Sequence, residues 1–157
     1  MLKTNFRSIL IVTILLSVFV ISQSFGRCVK LGGKIHVNGG GYIVSSAKVS
    51  ASVYVGPNAI ICGRAIVRDN VRVEGNATVS QGAVISNNVV VKNNAEVGGR
   101  AKIKNNVQIY GNAKINGLAE ISESAKIGGS MVISGKAKVM GKIVLEGKRA
   151  IMSGAYK

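Results

Sequence analysis

The chain has 157 residues and a formal net charge of +15, with only six acidic residues against 21 lysines and arginines. Aromatic residues make up 4% of it, tryptophan is absent and 20 residues are glycine, so we expect a narrow core of small aliphatic side chains. The sequence lacks the 3.6-residue period of amphipathic helices, which excludes a helical bundle.

The first 26 residues have the order of a secretory signal peptide. Lys3 and Arg7 precede an apolar run from Ile9 to Ile21, and the small residues Ser22, Ser24 and Gly26 follow near the expected cleavage site. The run has 13 residues, whereas a transmembrane helix needs roughly 20, which favours a cleaved signal over a membrane anchor. We predict a mature domain of residues 27–157 that is secreted or periplasmic, with cleavage after Ser24 or Gly26.

Residues 29–154 are one hexapeptide repeated twenty-one times without an insertion, as in AIVRDN, VRVEGN and ATVSQG over residues 65–82. The first position is almost always alanine or valine, and the third is always aliphatic. This alternation predicts a short strand with two inward side chains, and strand plus bend, repeated, winds into a solenoid. Valine returns at the first position every 18 residues, at 53, 71, 89 and 107, so three hexads make one coil and the repeats make about seven coils.

Asparagine recurs at the sixth position of the hexads with the same 18-residue spacing. One series is Asn70, Asn88 and Asn106, and another is Asn58, Asn76, Asn94 and Asn112. Asparagine tolerates the left-handed backbone region, and its amide can hydrogen-bond to neighbours above and below. We therefore expect stacked asparagines at the corners of the coil.

The repeat resembles that of the hexapeptide-repeat superfamily, whose fold is the left-handed parallel β-helix. Residues 73–78 (VEGNAT) and 97–102 (VGGRAK) show its pattern, and the resemblance covers residues 29–154. It implies an all-β domain, a single-stranded left-handed β-helix with three hexads per coil. The left hand comes from the resemblance, because periodicity cannot supply it. The superfamily contains acyltransferases, carbonic anhydrases and proteins without catalysis, so the fold does not assign the chemistry.

His36 is the one histidine and the candidate for a catalytic residue; we expect it to point outward from the first coil. Superfamily acyltransferases resemble one another in a catalytic histidine and a protruding loop, and this repeat has no loop insertion. Carbonic anhydrases of this fold bind their metal through three histidines. No acidic residue lies within residues 27–68 to orient the imidazole of His36. We predict a non-catalytic protein without cofactor or metal; the alternative is a trimeric acyltransferase that uses His36.

Secretion would permit a disulfide between Cys28 and Cys62. In a regular coil the two residues are at least one strand spacing of about 4.8 Å apart, and two if the N-terminus continues the helix. Because a disulfide needs Cα atoms within about 7 Å, this geometry argues against a bridge. A bridge and two unpaired cysteines both stay open.

The charge is unevenly placed once the repeat is folded onto three faces. Without Lys3 and Arg7 the chain has 19 basic and 6 acidic residues, a net charge of +13. One face and the corner leading into it collect Lys48, Arg64, Arg68, Arg100, Lys102, Lys104, Lys136 and Lys138. Such a surface predicts binding to an anionic polysaccharide, a lipid headgroup or another polyanion. Nucleic acid is the weaker ligand, because aromatic residues for base stacking are nearly absent from this face.

Two further hypotheses concern self-association. The outward apolar residues Ile60, Ile66, Val84 and Val90 predict a patch that could form a trimer contact. The exposed strand edges at both ends of a solenoid also permit a self-assembling surface or matrix protein.

Overall fold

The computed structural model describes residue 28 and residues 32–157, so the predicted signal peptide lies outside the described residues. These residues form 21 short strands and no helix. The strands make three sheets that run along a solenoid of about six coils. The predicted all-β parallel solenoid is therefore confirmed.

The first sheet has eight strands and the second has seven. The first consists of β1 (Gly33–Ile35), β2 (Tyr42–Val44), β5 (Ile60–Ile61), β8 (Thr78–Val79), β11 (Glu96–Val97), β14 (Lys114–Ile115), β17 (Val132–Ile133) and β20 (Ala150–Ile151). The second consists of β3 (Lys48–Val49), β6 (Ile66–Val67), β9 (Val84–Ser86), β12 (Lys102–Lys104), β15 (Glu120–Ile121), β18 (Lys138–Val139) and β21 (Ala155–Tyr156).

The third sheet has six strands. They are β4 (Tyr54–Val55), β7 (Arg72–Val73), β10 (Val90–Val91), β13 (Gln108–Ile109), β16 (Lys126–Ile127) and β19 (Val144–Leu145). Most neighbours are parallel and pair residues 18 apart; Val90, for example, pairs with Arg72 on one side and Gln108 on the other.

The core is the stack of first-position and third-position side chains inside the coils. In the central coils these residues are almost completely buried; Val89, Ile103 and Ile121, for example, are at most 1% exposed. Each hexad has two inward residues, at its first and third positions, with one outward residue between them. The bend follows directly, so each strand is short. The small first-position residues let the three sheets approach closely around the aliphatic third-position residues.

The corners depend on a left-handed residue at the fifth hexad position. This residue has a positive φ in every hexad from 59–64 to 143–148, whether it is glycine, as at Gly99 (65°), or another residue, as at Asn87 (66°). The sixth-position asparagines do not take this conformation. They stack through their side chains, as predicted: the Asn76 amide donates to Asn94 at 3.1 Å, and Asn94 donates to Asn112 at 3.1 Å.

The N-terminal end differs from the predicted first coil. β1 pairs antiparallel with β2, and the chain reverses through residues 36–41, where Gly39 and Gly40 have positive φ. Ile35 and Val37, which the repeat placed inward, are 62% and 86% exposed, and His36, which it placed outward, is buried. The repeat fails here because an end coil has no neighbour beneath it, so a hairpin covers the edge of the solenoid.

The C-terminal end shows a one-residue change of register. Tyr156 pairs with the inward residue Val139, a separation of 17 instead of 18 residues. The shorter bend bears Gly154 at φ 91°. Tyr156 thereby takes an inward position at the open end of the second sheet, and Arg149 is exposed.

Candidate functional site

The eight basic residues that the sequence singled out lie on two adjoining parts of the solenoid. Lys48, Lys102 and Lys138 point outward from strands of the second sheet, and Arg68 and Lys104 follow its inward residues. The other three, Arg64, Arg100 and Lys136, lie on the corner between the first and second sheets. We call these three the basic corner. All eight are exposed.

The backbone of this corner is stacked from coil to coil by hydrogen bonds. The amide of Arg100 donates to the carbonyl of Gly117 at 2.7 Å, and that of Gly82 donates to Gly99 at 2.8 Å. Residues 18 apart therefore lie about 4.8 Å apart along the axis. Because the members of the basic corner are 36 residues apart, consecutive members are about 9.6 Å apart at their backbones.

The basic corner differs from the second sheet in its ion pairs. On the second sheet Glu120 lies between two lysines, 3.2 Å from Lys138 and 4.0 Å from Lys102. Arg68 has Asp69 at 4.0 Å. In the part of the chain that the structure describes, no carboxylate lies within 4.0 Å of any member of the basic corner. Among the described residues, the three cations of the corner are therefore unopposed, as are Lys48 and Lys104 on the adjoining sheet.

A shallow groove of about 660 Å³ follows this corner. Arg64 and Arg100 line it together with the fifth-position glycines of three coils, and Leu118 closes one end. A side chain at Gly82 would meet the Cγ of Arg100 at about 3.8 Å, so the stem of Arg100 lies over the space that Gly82 leaves open. Ser46 and Gln81 complete the lining, so the groove combines glycine backbone and small polar groups with the two arginines.

His36 does not lie at an accessible surface. Its side chain is buried in the N-terminal hairpin, and Nε2 is 2.9 Å from the carbonyl oxygen of Val53. The prediction that His36 points outward is wrong, because the antiparallel hairpin reverses the inward and outward positions. The N–H at Nε2 donates to this buried carbonyl and stabilises the hairpin, which weighs against a role as general base.

Cys28 and Cys62 form a disulfide, with their Cα atoms 5.7 Å apart. The sequence-based argument that they are too far apart is wrong, because it placed Cys28 at the edge of a regular first coil. The antiparallel hairpin replaces that coil. The bridge fixes the N-terminal segment to the bend that follows β5.

The four apolar residues predicted to form one patch lie on three different sheets. Ile60 is on the first sheet, Ile66 and Val84 are neighbours on the second, and Val90 is on the third. Only Ile66 and Val84 are adjacent, so the predicted patch is wrong. The repeat places outward residues correctly on strands, but three consecutive strands face three directions.

Sequence reasoning missed a polar cluster beside the third sheet. The hydroxyl of Tyr110 donates to Glu146 two coils away, and the ammonium of Lys92 lies 5.9 Å from the centre of the Tyr110 ring. The hydrogen bond to Glu146, followed by burial and the negative charge of Glu146, raises the pKa of Tyr110. Tyr110 and Glu146 occupy the same hexad position two coils apart, and this 36-residue spacing is the sequence signal that could have revealed the cluster.

The described residues contain neither a metal-binding cluster nor a membrane-spanning helix. Residue 28 and residues 32–157 contain no group of three or more histidine, cysteine or acidic residues that could hold a metal ion. Within the same residues, no helix has the length and apolar character needed to cross a membrane.

The chain matches no protein-family model, no curated protein and no solved structure.

Proposed function

We propose that this protein is a non-catalytic, left-handed β-helix of the hexapeptide-repeat type, exported by its N-terminal signal, that binds anionic surface polymers. The observation that carries the proposal is the unopposed charge of Arg64, Arg100 and Lys136 along one corner. The adjoining lysines of the second sheet add to the positive potential, and a rigid solenoid holds all of these charges in fixed register.

Three observations support this function. The site residues are long, flexible cations on a rigid backbone, an arrangement that suits ionic contact with a polymer more than enclosure of a small substrate. The groove along the corner is lined by no aromatic residue, which disfavours single-stranded nucleic acid as the ligand. The disulfide between Cys28 and Cys62 suits an oxidising compartment outside the cytoplasm.

The test is retention of residues 27–157 on immobilised polyanions across a salt series. We expect retention that falls steeply as salt rises, because the Debye length shortens from about 10 Å at 0.1 M to about 3 Å at 1 M. A triple variant of the basic corner, Arg64→Ala with Arg100→Ala and Lys136→Ala, should elute at clearly lower salt.

The control is a variant that removes the same charge from other faces. Lys92→Ala with Lys114→Ala and Lys126→Ala changes residues beside or on the first and third sheets. This control should elute close to the wild type. If both triple variants lose retention equally, the charge acts diffusely and the proposed surface is wrong.

A further inference from the structure

The spacing within the basic corner points to a particular class of polymer. We infer that the corner binds a linear acidic polysaccharide that bears one carboxylate or sulfate in every two sugars, aligned with the solenoid axis. This inference rests on the proposed function, because it assumes that the corner is an anion-binding surface. It adds the chemical repeat of the ligand and its orientation.

The first step is the alternation of residue types up the corner. Arg64, Arg100 and Lys136 occupy the sixth position in alternate coils, and Gly82 and Leu118 occupy it between them. The cations therefore recur about every 9.6 Å, twice the strand spacing. This distance is close to the length of two pyranose rings in an extended β-linked chain. A polymer with one anion per disaccharide can thus place successive anions at successive cations.

The second step is the absence of competing carboxylates at the corner. On the neighbouring sheet Glu120 already pairs with Lys102 and Lys138, so an anionic ligand there must compete with a fixed carboxylate. Within the described residues the corner cations lack such a partner. They can form charge-assisted hydrogen bonds without first breaking an ion pair.

The third step is the shape of the surface between the cations. The fifth-position residues Gly63, Gly99 and Gly117 present no side chain to the groove, and each has a left-handed φ between 63° and 67°. Gln81 occupies the fifth position between Gly63 and Gly99, and its Oε1 accepts a hydrogen bond from the amide of Gly99. Gly82 adds further open space beneath Arg100. A pyranose ring can lie against the glycine surface at Gly99 and Gly117, where Leu118 offers an apolar contact to one ring face and the amide of Gln81 offers a polar one. By contrast, duplex DNA carries one charge per about 1.7 Å, which has no match to this spacing.

The test measures the binding of three polymers of matched length to the mature domain, residues 27–157. They are a glucuronate–N-acetylglucosamine copolymer with one carboxylate per disaccharide, polyglucuronate with one per sugar, and inorganic polyphosphate. Affinities are measured by isothermal titration calorimetry at fixed salt. We expect the alternating copolymer to bind most tightly per anionic group.

The decisive variant exchanges two residues of the corner: Arg100→Leu together with Leu118→Arg. Composition and net charge stay the same, but the cations no longer alternate. Affinity for the alternating copolymer should fall about tenfold, the loss expected for one charge-assisted contact, while binding of polyphosphate is unchanged. Lys136→Gln, which alters an exposed side chain at the far end of the corner, should weaken copolymer binding without affecting folding.

The outcomes separate the two proposals. If the exchanged variant binds all three polymers as the wild type does, the inference about spacing is overturned and polyanion binding stands. If the wild type binds none of them, both are overturned. Circular dichroism and thermal unfolding establish that each variant is folded before binding is measured.

Discussion

The disulfide between Cys28 and Cys62 gives the sharpest prediction about stability. The bridge closes a loop with a sequence separation of 34. For a loop of this size, the chain-entropy model gives a stabilisation of about 4 kcal/mol at 25 °C. Each coil of a solenoid contacts only its neighbours, so we expect the loss to fall on the N-terminal coils that the bridge encloses.

The perturbation is Cys28→Ala with Cys62→Ala, and the assay is native-state hydrogen exchange. Protection of amides in β2 and β5 should fall by up to about three orders of magnitude, the equivalent of about 4 kcal/mol, while amides in β13 and β16 change little. Reduced wild-type protein is the control, because it loses the cross-link without the substitutions. A change of less than about tenfold in β2 and β5, or an equal change in every strand, would refute the reasoning.

Three other predictions concern the coil, the core and the tyrosine cluster. Gly99→Val places a branched side chain at φ 65°, with its Cβ about 2.5 Å from the next coil. It should lower the free energy of unfolding in urea by at least about 1–3 kcal/mol. Gly82→Ala, whose Cβ meets no atom closer than 3.4 Å, should lower it clearly less. Ile103→Ala should cost about 2–5 kcal/mol and Ile103→Val about 0.5–1.5; equal costs would contradict the packing described. Glu146→Gln should lower the raised pKa of Tyr110 in an ultraviolet titration. Because that pKa is raised in the folded state, the stability it contributes is present below pH about 10 and lost as pH rises through the folded value. An unchanged Tyr110 titration in the variant would remove Glu146 as the cause.

The central coils were predictable because every hexad repeats the same pattern of inward and outward residues. An aliphatic residue at the third position and a small residue at the first leave one way to bury both, as the burial of Val89 and Ile103 shows. The stacked asparagines followed from their 18-residue spacing. The left-handed residue was predicted at the sixth position but lies at the fifth, because glycine, asparagine and charged residues all occupy that position and no single residue type marks it.

The candidate site was predictable in part. The sequence placed the basic residues on one face and its leading corner, since second-position and sixth-position residues point outward in any such coil. It could not show that Glu120 pairs with lysines on both sides, because the side chains reach between coils. That pairing distinguishes Lys102 and Lys138 from the three cations of the basic corner.

The sequence by itself determined the repeating part of this protein: the all-β class, the 18-residue coil, the narrow aliphatic core and the order of charges along a corner. These features are local or periodic, so each coil repeats the same energetic solution. Only the tertiary structure decided the ends, where Ile35 is exposed, His36 is buried and Cys28 reaches Cys62. An end coil has a neighbour on one side only. Its most stable conformation therefore depends on how the exposed strand edge is covered, and the hexapeptide pattern carries no information about that.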